Sequence, residues 1–249
     1  MVKYFCFFSF ILLLMYSCRT HYKIDESATR IKFVEINKEN IPAIDTFMFN
    51  KILPYKLELS SLMEQKVAFC EQALERSQPN GSLNNLAADM VFDLKNQLPY
   101  PVDFCLLNYG GLRSNLPAGN ISRGDIFQLM PFENKVVVLK IKASIIDSIA
   151  ANNDFFGGHP IAGISFTYLK NGLCRKTIND KDVDPQSYYH LITSDYLAQG
   201  GDKMSFLANA DSIYETNISI RDAFFMYLKK KELKNENLKA DFTKRIIYE

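Results

Sequence analysis

Apolar residues recur at helical spacing in four stretches of the chain. The clearest stretch follows Ser82, whose hydroxyl can cap a helix, and it should run to about residue 97 because Pro99 cannot continue it. Its single apolar face consists of Leu83, Leu86, Ala87, Met90, Val91 and Leu94. The same spacing predicts three more helices, over residues 123–129 after Ser122, over residues 143–151, and from residue 220 onward after Ser219.

Short apolar runs bounded by turn residues separate these helices. They predict strands over residues 102–107, 135–142, 164–169, 173–178, 188–193 and 244–248. The pair Asn171-Gly172 suits the tight turn of a hairpin between the third and fourth of these strands. The spacing over residues 58–77 fits either a helix or a strand that leads into a helix. Helices and strands that mix without a strict alternation predict an α+β fold, with a mixed sheet and flanking helices.

The first 17 residues have the pattern of an export signal. A charged start precedes an apolar run over residues 5–15, which is shorter than the roughly 20 residues of a membrane span. The run ends at Ser17-Cys18, which resembles the lipobox at which bacterial lipoproteins are cut and acylated on cysteine. We therefore expect a lipoprotein signal peptide over residues 1–17, lipidation of Cys18 in the cell envelope, a tether and leading segment over residues 18–40, and a folded domain over residues 41–249. An ordinary secretory signal with an incidental Cys18 is the alternative.

Positive and negative charges are balanced over the whole chain. The sequence has 29 Lys and Arg against 28 Asp and Glu, which gives a formal net charge of +1. Proteins that bind nucleic acid or adhere electrostatically to anionic lipid usually carry a clear positive excess. We therefore expect no nucleic-acid partner, and contact with a membrane only through the lipid anchor, on its periplasmic or surface side.

Three polar segments lie next to predicted strands, and the first of them is Asn-Tyr-Gly-Gly-Leu-Arg at residues 108–113. An arginine after two glycines can stand clear of the surface, and its guanidinium offers a planar set of donors to phosphate or carboxylate oxygens. Arg113 is therefore a candidate anion-binding residue, although the same pattern also occurs in ordinary surface turns. Asn108 can hydrogen-bond to a ligand or stabilise its own loop.

The other two segments place aromatic rings beside polar groups. Phe132 follows Pro131 and should lie on a turn, and Tyr196 lies shortly before two glycines. If the two rings face each other, a planar base can stack between them, and such stacking is worth roughly 1–3 kcal/mol per base. Asp202, which follows the glycines, can accept hydrogen bonds from ribose hydroxyls. The alternatives are a place in the core for either ring and a capping or loop-bracing role for Asp202.

No hydrolytic machinery is visible in the sequence. A dinuclear metallophosphatase centre needs several His and carboxylate ligands, whereas this chain has three histidines in separate segments, His21, His159 and His190. We interpret all three as structural or exposed. Gly-x-Ser-x-Gly, P-loop and Cys-x-x-Cys motifs are also absent. The sequence therefore predicts no metal site, no cofactor and no catalytic residue in this chain.

Taken together, the three segments resemble the C-terminal, substrate-binding domain of the 5'-nucleotidase family. The resemblance runs from about residue 83 to the C-terminus, with weaker agreement back to about residue 45. It implies the α+β fold of that domain, which binds the nucleotide, while a first domain with two divalent metals hydrolyses it. The substrate-binding residues that it implies are Asn108, Gly111, Arg113, Phe132, Asn134, Tyr196, Gly201 and Asp202.

The chain also departs from the pattern of that family. Members often carry a further arginine shortly after the helix that corresponds to residues 83–97, where this chain has none, so we expect weaker or different phosphate binding. Tyr196 stands where phenylalanine is more usual, which keeps the ring. We also expect the metal domain to be missing, because too few residues precede the match to hold it.

Two functions of different classes are compatible with these residues. In the first, the chain is the substrate-binding half of a split 5'-nucleotidase, inactive alone, and a metallophosphatase-domain protein supplies the divalent metals. In the second, it is a free-standing envelope lipoprotein that binds a nucleoside or nucleotide without catalysis. A degenerate pocket that retains only the fold is a third possibility.

Overall fold

The computed structural model describes residues 45–249, and residues 52–249 form one compact unit. The predicted signal peptide, Cys18 and the tether lie outside the described residues. Helix α1 (Thr46–Met63) buries none of its side chains, and strand β1 (Lys66–Cys70) follows it. Neither alternative for residues 58–77 holds over the whole range, because the helix ends at Met63 and a strand follows it. Within residues 45–249, no helix combines the length and the apolar character needed to span a bilayer.

The remaining helices and strands mix irregularly, which confirms the predicted α+β class. The helices are α2 (Ser82–Phe92), α3 (Arg123–Leu129), α4 (Ala143–Phe155), α5 (Asp195–Ala198) and α6 (Ile220–Leu233). The strands are β2 (Phe104–Leu106), β3 (Gly119–Ser122), β4 (Lys135–Lys142), β5 (Ile161–Ala162), β6 (Ile164–Tyr168), β7 (Cys174–Ile178), β8 (Lys181–Asp182), β9 (Tyr188–Ser194), β10 (Ser212–Ser219) and β11 (Ile246–Tyr248). A 3-10 turn over Asp93–Asn96 continues α2.

The central element is a mixed five-stranded sheet in the order β10-β4-β9-β2-β5. Strands β9 and β2 are parallel, and the other neighbours are antiparallel. Successive residues of a strand point to opposite faces, so β4 contributes to two cores. Val136 and Val138 pack with residues of α2 and α6 on one face, and Val137 and Leu139 pack with residues of α4 and β6 on the other. Because both faces are covered, β4 is almost continuously apolar.

Two smaller sheets complete the unit. One pairs β1 with β3, and the other has the order β11-β6-β7-β8. The predicted hairpin is present as the antiparallel pair β6 and β7. Of the two turn residues, only Gly172 has a positive φ, of 82°, while the Asn171 side chain accepts a hydrogen bond from the Leu173 backbone N–H at 3.0 Å.

Side-chain caps explain where several of the helices begin. Ser219 caps α6 as predicted, and Ser122 caps α3, each in a capping box with the aspartate three residues later. Ser194 caps the short helix α5. The prediction that Ser82 caps α2 is wrong. Gly81 precedes that helix, and the Ser82 hydroxyl instead accepts the backbone N–H of Glu75 at 3.1 Å, so it is engaged with an upstream segment.

Candidate functional site

The strand order brings the three polar segments to one edge of the central sheet. Strands β2 and β9 run parallel with Cys105 opposite Ile192, so the segments that follow them, residues 108–113 and 195–202, leave the sheet at the same edge. Strand β4 is antiparallel to β9 with Val136 opposite Ser194. The segment that enters β4, residues 130–134, therefore lies at this edge too.

The three segments enclose a cavity of about 300 Å³. Its lining residues are Asn108, Gly110, Gly111, Arg113, Phe132, Asn134, Tyr196 and Asp202. Seven of the eight residues predicted from the sequence are among them. Gly201, the eighth, packs beside the Tyr196 ring, where a Cβ would overlap ring atoms Cε1 and Cζ, so a larger residue would displace the ring. Gly110 is a lining residue that the sequence did not single out.

Arg113 provides the positive charge of the cavity. Its side chain is exposed, its Nη1 donates to the Gly110 carbonyl at 3.2 Å, and its guanidinium carbon lies 5.9 Å from the centroid of the Phe132 ring. The Arg113 backbone N–H donates to the Leu129 carbonyl at 2.9 Å, which fixes the segment to the end of α3. The guanidinium is thus held beside an aromatic face with donors still free for an anion.

Asn108 presents its side-chain amide to the cavity. A backbone hydrogen bond, rather than this amide, stabilises the turn that follows Asn108. The Gly111 N–H donates to the Asn108 carbonyl at 3.1 Å. A Cβ at Gly111 would lie 2.8 Å from Oδ1 of Asn108, so only glycine leaves room for that amide. Among the described residues the amide has no hydrogen-bond partner, which leaves it available to a ligand.

Tyr196 and Asp202 form a hydrogen-bonded pair on the third segment. The Tyr196 hydroxyl donates to Oδ1 of Asp202 at 2.8 Å and accepts the Asp202 backbone N–H at 3.3 Å. Donation to the carboxylate raises the pKa of Tyr196, because it stabilises the protonated phenol. Asp202 has a φ of 49°, a conformation that is uncommon outside glycine. The carboxylate is therefore oriented by Tyr196, and its second oxygen remains free.

Both predicted stacking rings are accessible. Phe132 is 42% exposed and Tyr196 is 41% exposed, so the alternative that places them in the core is wrong. Phe132 lies outside the helices and strands, as the sequence predicts, whereas Tyr196 lies in the short helix α5 rather than on a connection. A flat ligand can therefore reach both rings from solvent.

Arg221, a buried residue at the start of α6, holds the turn that carries Phe132 by hydrogen bonds. Its Nη1 donates to the Met130 carbonyl at 3.1 Å and its Nη2 binds Glu133, while the neighbouring Ile220 N–H donates to the Asn134 carbonyl at 2.9 Å. Both ends of residues 130–134 are thereby fixed to α6. No local signal in the sequence indicates this support, since the two segments lie almost 90 residues apart.

Arg76 is a second arginine beside the first segment. Its guanidinium carbon lies 4.8 Å from the centroid of the Tyr109 ring, and its Nη1 donates to the Leu112 carbonyl. Arg76 comes from the chain before α2, which is the opposite end of that helix from the place expected from the family resemblance. It does not line the cavity, and it braces the loop that carries Arg113.

The described residues offer no metal centre. In residues 45–249, no group of three or more His, Cys, Asp or Glu side chains is placed to hold a metal ion. His190 pairs with Asp103 at 3.4 Å, and His159 is 4% exposed and lies outside the cavity lining. Residues 45–249 therefore present no donor set suited to a divalent-metal hydrolytic centre.

Comparisons with known proteins agree with this geometry. Residues 64–209 match the family model described as 5'-nucleotidase, C-terminal domain. Protein UshA of Yersinia enterocolitica is 25% identical over 195 residues, which are 76% of this chain and 35% of that protein. The chain thus spans about a third of the length of this curated relative.

Two solved structures are similar in fold. The 5'-nucleotidase precursor from Thermus thermophilus aligns with a TM-score of 0.69 at 23% identity, over 82% of this chain and 43% of that chain. The NAD nucleotidase of Haemophilus influenzae aligns with a TM-score of 0.63 at 18% identity, over 82% and 41%. At these identities the alignments show the fold alone. The family model, in contrast, matches more than half of the sequence, and the chain therefore belongs to the 5'-nucleotidase C-terminal domain family.

Proposed function

We propose that this protein is the substrate-binding half of a split 5'-nucleotidase. It binds a nucleotide or nucleoside and acts in nucleotide hydrolysis and catabolism with a separate metallophosphatase-domain protein. The observation that carries the proposal is the convergence of an exposed arginine, two accessible aromatic rings and an oriented aspartate around one cavity, formed by Arg113, Phe132, Tyr196 and Asp202.

Each part of a nucleotide has a complementary group in this cavity. Arg113 offers guanidinium donors to phosphate oxygens. Phe132 and Tyr196 offer aromatic faces to the base. Asp202 keeps one carboxylate oxygen for ribose hydroxyls, and the Asn108 amide can both donate to and accept from a ligand.

The hydrolytic step belongs to the partner in this proposal. Within residues 45–249, no group of side chains is placed to hold a metal ion. We propose that the divalent metals that activate water for attack on the phosphate reside in the metallophosphatase-domain protein. This chain would then be inactive alone, and its own contribution is to bind and orient the substrate.

The proposal includes export and lipid anchoring. Cys18, in the lipobox-like sequence, is the acylation site, and the protein is held in the cell envelope on the periplasmic or surface side. Intact-mass analysis of the native protein tests this directly: a diacylglycerol-modified Cys18 at the N-terminus is expected, and a chain that is cleaved elsewhere and lacks lipid refutes it. The variant Cys18→Ala should lose membrane association.

A free-standing envelope lipoprotein that binds a nucleoside or nucleotide without catalysis is the second candidate. It is supported by the groups suited to phosphate, base and ribose that this chain brings together in one cavity. The two functions share the cavity and differ in whether hydrolysis ever follows.

Calorimetric titration of the purified protein with AMP and adenosine tests the shared part of the proposal. Hydrolysis is assayed in the same samples with added Mg²⁺ or Mn²⁺. We expect saturable binding without phosphate release. Turnover by this chain alone overturns the division of labour, and the absence of binding at millimolar ligand overturns the role of the cavity.

Addition of a metallophosphatase-domain protein encoded in the same genome separates the two candidates. The split enzyme should hydrolyse AMP only when both proteins are present, and Arg113→Met in this chain should reduce that rate. If saturating amounts of each such protein leave AMP intact while this chain still binds it, the free-standing binding function stands.

A further inference from the structure

Three hydrogen bonds in series connect the first and third segments of the cavity from outside its lining. Nδ1 of His159 accepts the backbone N–H of Tyr109 at 3.2 Å, and Nε2 of His159 lies 3.1 Å from Oδ1 of Asn152. Nδ2 of Asn152 then donates to the Asp202 backbone carbonyl at 3.3 Å. We call this series the 159–152 bridge. Neither His159 nor Asn152 lines the cavity.

The donors and acceptors of the bridge are determined by its ends. A backbone N–H can only donate, so Nδ1 is the acceptor and the proton of the neutral ring resides on Nε2. A backbone carbonyl can only accept, so the Asn152 amide directs its NH₂ group to Asp202 and its oxygen to His159. All three bonds therefore run in one direction, an arrangement in which each bond polarises and strengthens the next.

Backbone hydrogen bonds fix the chain on both sides of His159. His159 is 4% exposed, and the Pro160 carbonyl next to it accepts the Leu107 N–H at 2.9 Å, at the end of β2. On its other side, the Gly158 N–H donates to the Asn153 carbonyl at 2.8 Å, at the end of α4. A buried imidazole held on both sides cannot give up either bond without leaving a polar atom unpaired.

Within the described residues, no direct hydrogen bond joins residues 108–113 to residues 195–203. The first of these segments carries Arg113 and the other carries Asp202. The strands from which the two segments emerge are paired, and Thr193 Oγ1 donates to the Leu106 carbonyl at 2.8 Å. Beyond those strands, the 159–152 bridge is a polar connection between the anion-binding end and the ribose-binding end of the proposed site.

We propose that His159 and Asn152 are positioning residues that couple these two segments and set the distance between Arg113 and Asp202. The inference rests on the proposed nucleotide-binding function, which it deepens. A ligand that engages both segments, such as AMP, depends on that distance, whereas adenosine, which lacks the phosphate, depends on it less.

Three variants interrupt the bridge at different points. In His159→Asn the amide oxygen takes about the place of Nδ1 and retains the bond to Tyr109, while in His159→Gln the amide takes about the place of Nε2 and retains the bond to Asn152. Asn152→Ala removes the middle of the bridge and leaves His159 in place. His190→Asn, at a histidine outside the cavity lining, is the matched control.

The first measurement uses the unliganded protein. In ¹⁵N NMR spectra, we expect the His159 ring of the wild type in the form protonated on Nε2. Asn152→Ala should shift the amide resonance of Tyr109, and His159→Asn should shift the amide of Lys203, which follows the Asp202 carbonyl. If neither distant amide moves, the segments are not coupled and the inference is wrong.

The second measurement compares ligands. Each bridge variant should weaken AMP binding about tenfold, which corresponds to roughly one lost hydrogen bond, and should weaken adenosine binding clearly less. The double variant His159→Asn with Asn152→Ala should lose no more than either single one, since both break the same connection. Equal losses for AMP and adenosine would indicate a general structural role and overturn the inference.

The NMR measurement and the ligand comparison together also separate this inference from the proposed function. If the wild type binds neither AMP nor adenosine, the proposed function fails, while the shifts of the Tyr109 and Lys203 amides still decide whether the bridge couples the segments. If the wild type binds both ligands and the bridge variants behave as His190→Asn does, the proposed function stands and the inference fails.

Discussion

The stability of this protein should fall as the pH is lowered from 8 to 5, and His159 should be a main cause. Burial lowers the pKa of His159 from the ordinary 6.5 to about 4, and the nearby Asp202 carboxylate only partly opposes this effect. The neutral ring is also the form that the 159–152 bridge requires, because Nδ1 must accept the Tyr109 N–H.

The sign and size follow from proton linkage. The unfolded chain takes up a proton on this imidazole as the pH falls through 6.5, whereas the folded protein resists protonation until about pH 4. The unfolded state therefore binds more protons in this window, so the free energy of unfolding decreases as the pH falls. The full difference corresponds to roughly 3 kcal/mol, of which about 2 kcal/mol is lost between pH 8 and pH 5.

Urea unfolding followed by circular dichroism at several pH values between 8 and 5 measures this loss, with His159→Asn as the reference that lacks the titrating ring. The wild type should lose about 2 kcal/mol more than the variant over this range. His159→Gln provides a second reference in case the asparagine variant folds poorly. A constant difference between wild type and both references from pH 8 to pH 5 would refute the assignment of a depressed pKa to His159.

Three further predictions concern the cavity directly. Phe132→Ala should weaken AMP binding by at least about 1 kcal/mol through lost stacking, measured by calorimetry, with the melting temperature almost unchanged. Arg113→Met should cost AMP about 1.5–3 kcal/mol of binding, as expected for hydrogen bonds to a charged group, and should leave adenosine binding nearly intact. Arg221→Met should lower the free energy of unfolding by about 1–3 kcal/mol, because the Met130 carbonyl loses its donor, and it should weaken AMP binding as the Phe132 turn loosens.

Matched controls exist for the first two of these substitutions. Phe242 is 72% exposed and does not line the cavity, so Phe242→Ala should bind AMP as the wild type does. Arg175 is an exposed arginine that pairs with Asp182 at 2.7 Å and does not line the cavity. Arg175→Met should therefore also leave AMP binding unchanged. If these controls lose as much affinity as Phe132→Ala or Arg113→Met, the cavity is not the binding site.

Elements with strong local periodicity were predicted well from the sequence. Strand β4 alternates between two cores, and the capping boxes of α3 and α6 are local signals that survive in the structure. Strand β10 (Ser212–Ser219) was missed although its burial alternates along the chain. The failed cap involves a distant partner. The hydroxyl of Ser82 binds the chain before its helix, and nothing in the sequence reveals that competing contact.

The candidate site shows the same difference between residues with a local sequence signal and residues whose partners are distant in sequence. Residues that carry their own chemistry, such as Arg113 and Asp202, were recognised from short motifs. Their supports were missed, because Arg221 lies about 90 residues from the turn that it holds, and His159 lies 50 residues from the Tyr109 N–H that it accepts. The pairing of β10 with β4 and that of β2 with β5 create those proximities, and short motifs do not encode them.

The exposure of the cavity is consistent with the proposed split enzyme. The supports, Arg221 and His159, are buried, so the cavity is organised before a ligand arrives. Arg113 and Tyr196, which would hold the phosphate and the base, are both exposed. A phosphate at Arg113 would therefore remain open to solvent on one side. A protein that only captures nucleotides gains affinity by enclosing that charge, but a protein that delivers the phosphate to a metal centre on another chain must leave it accessible.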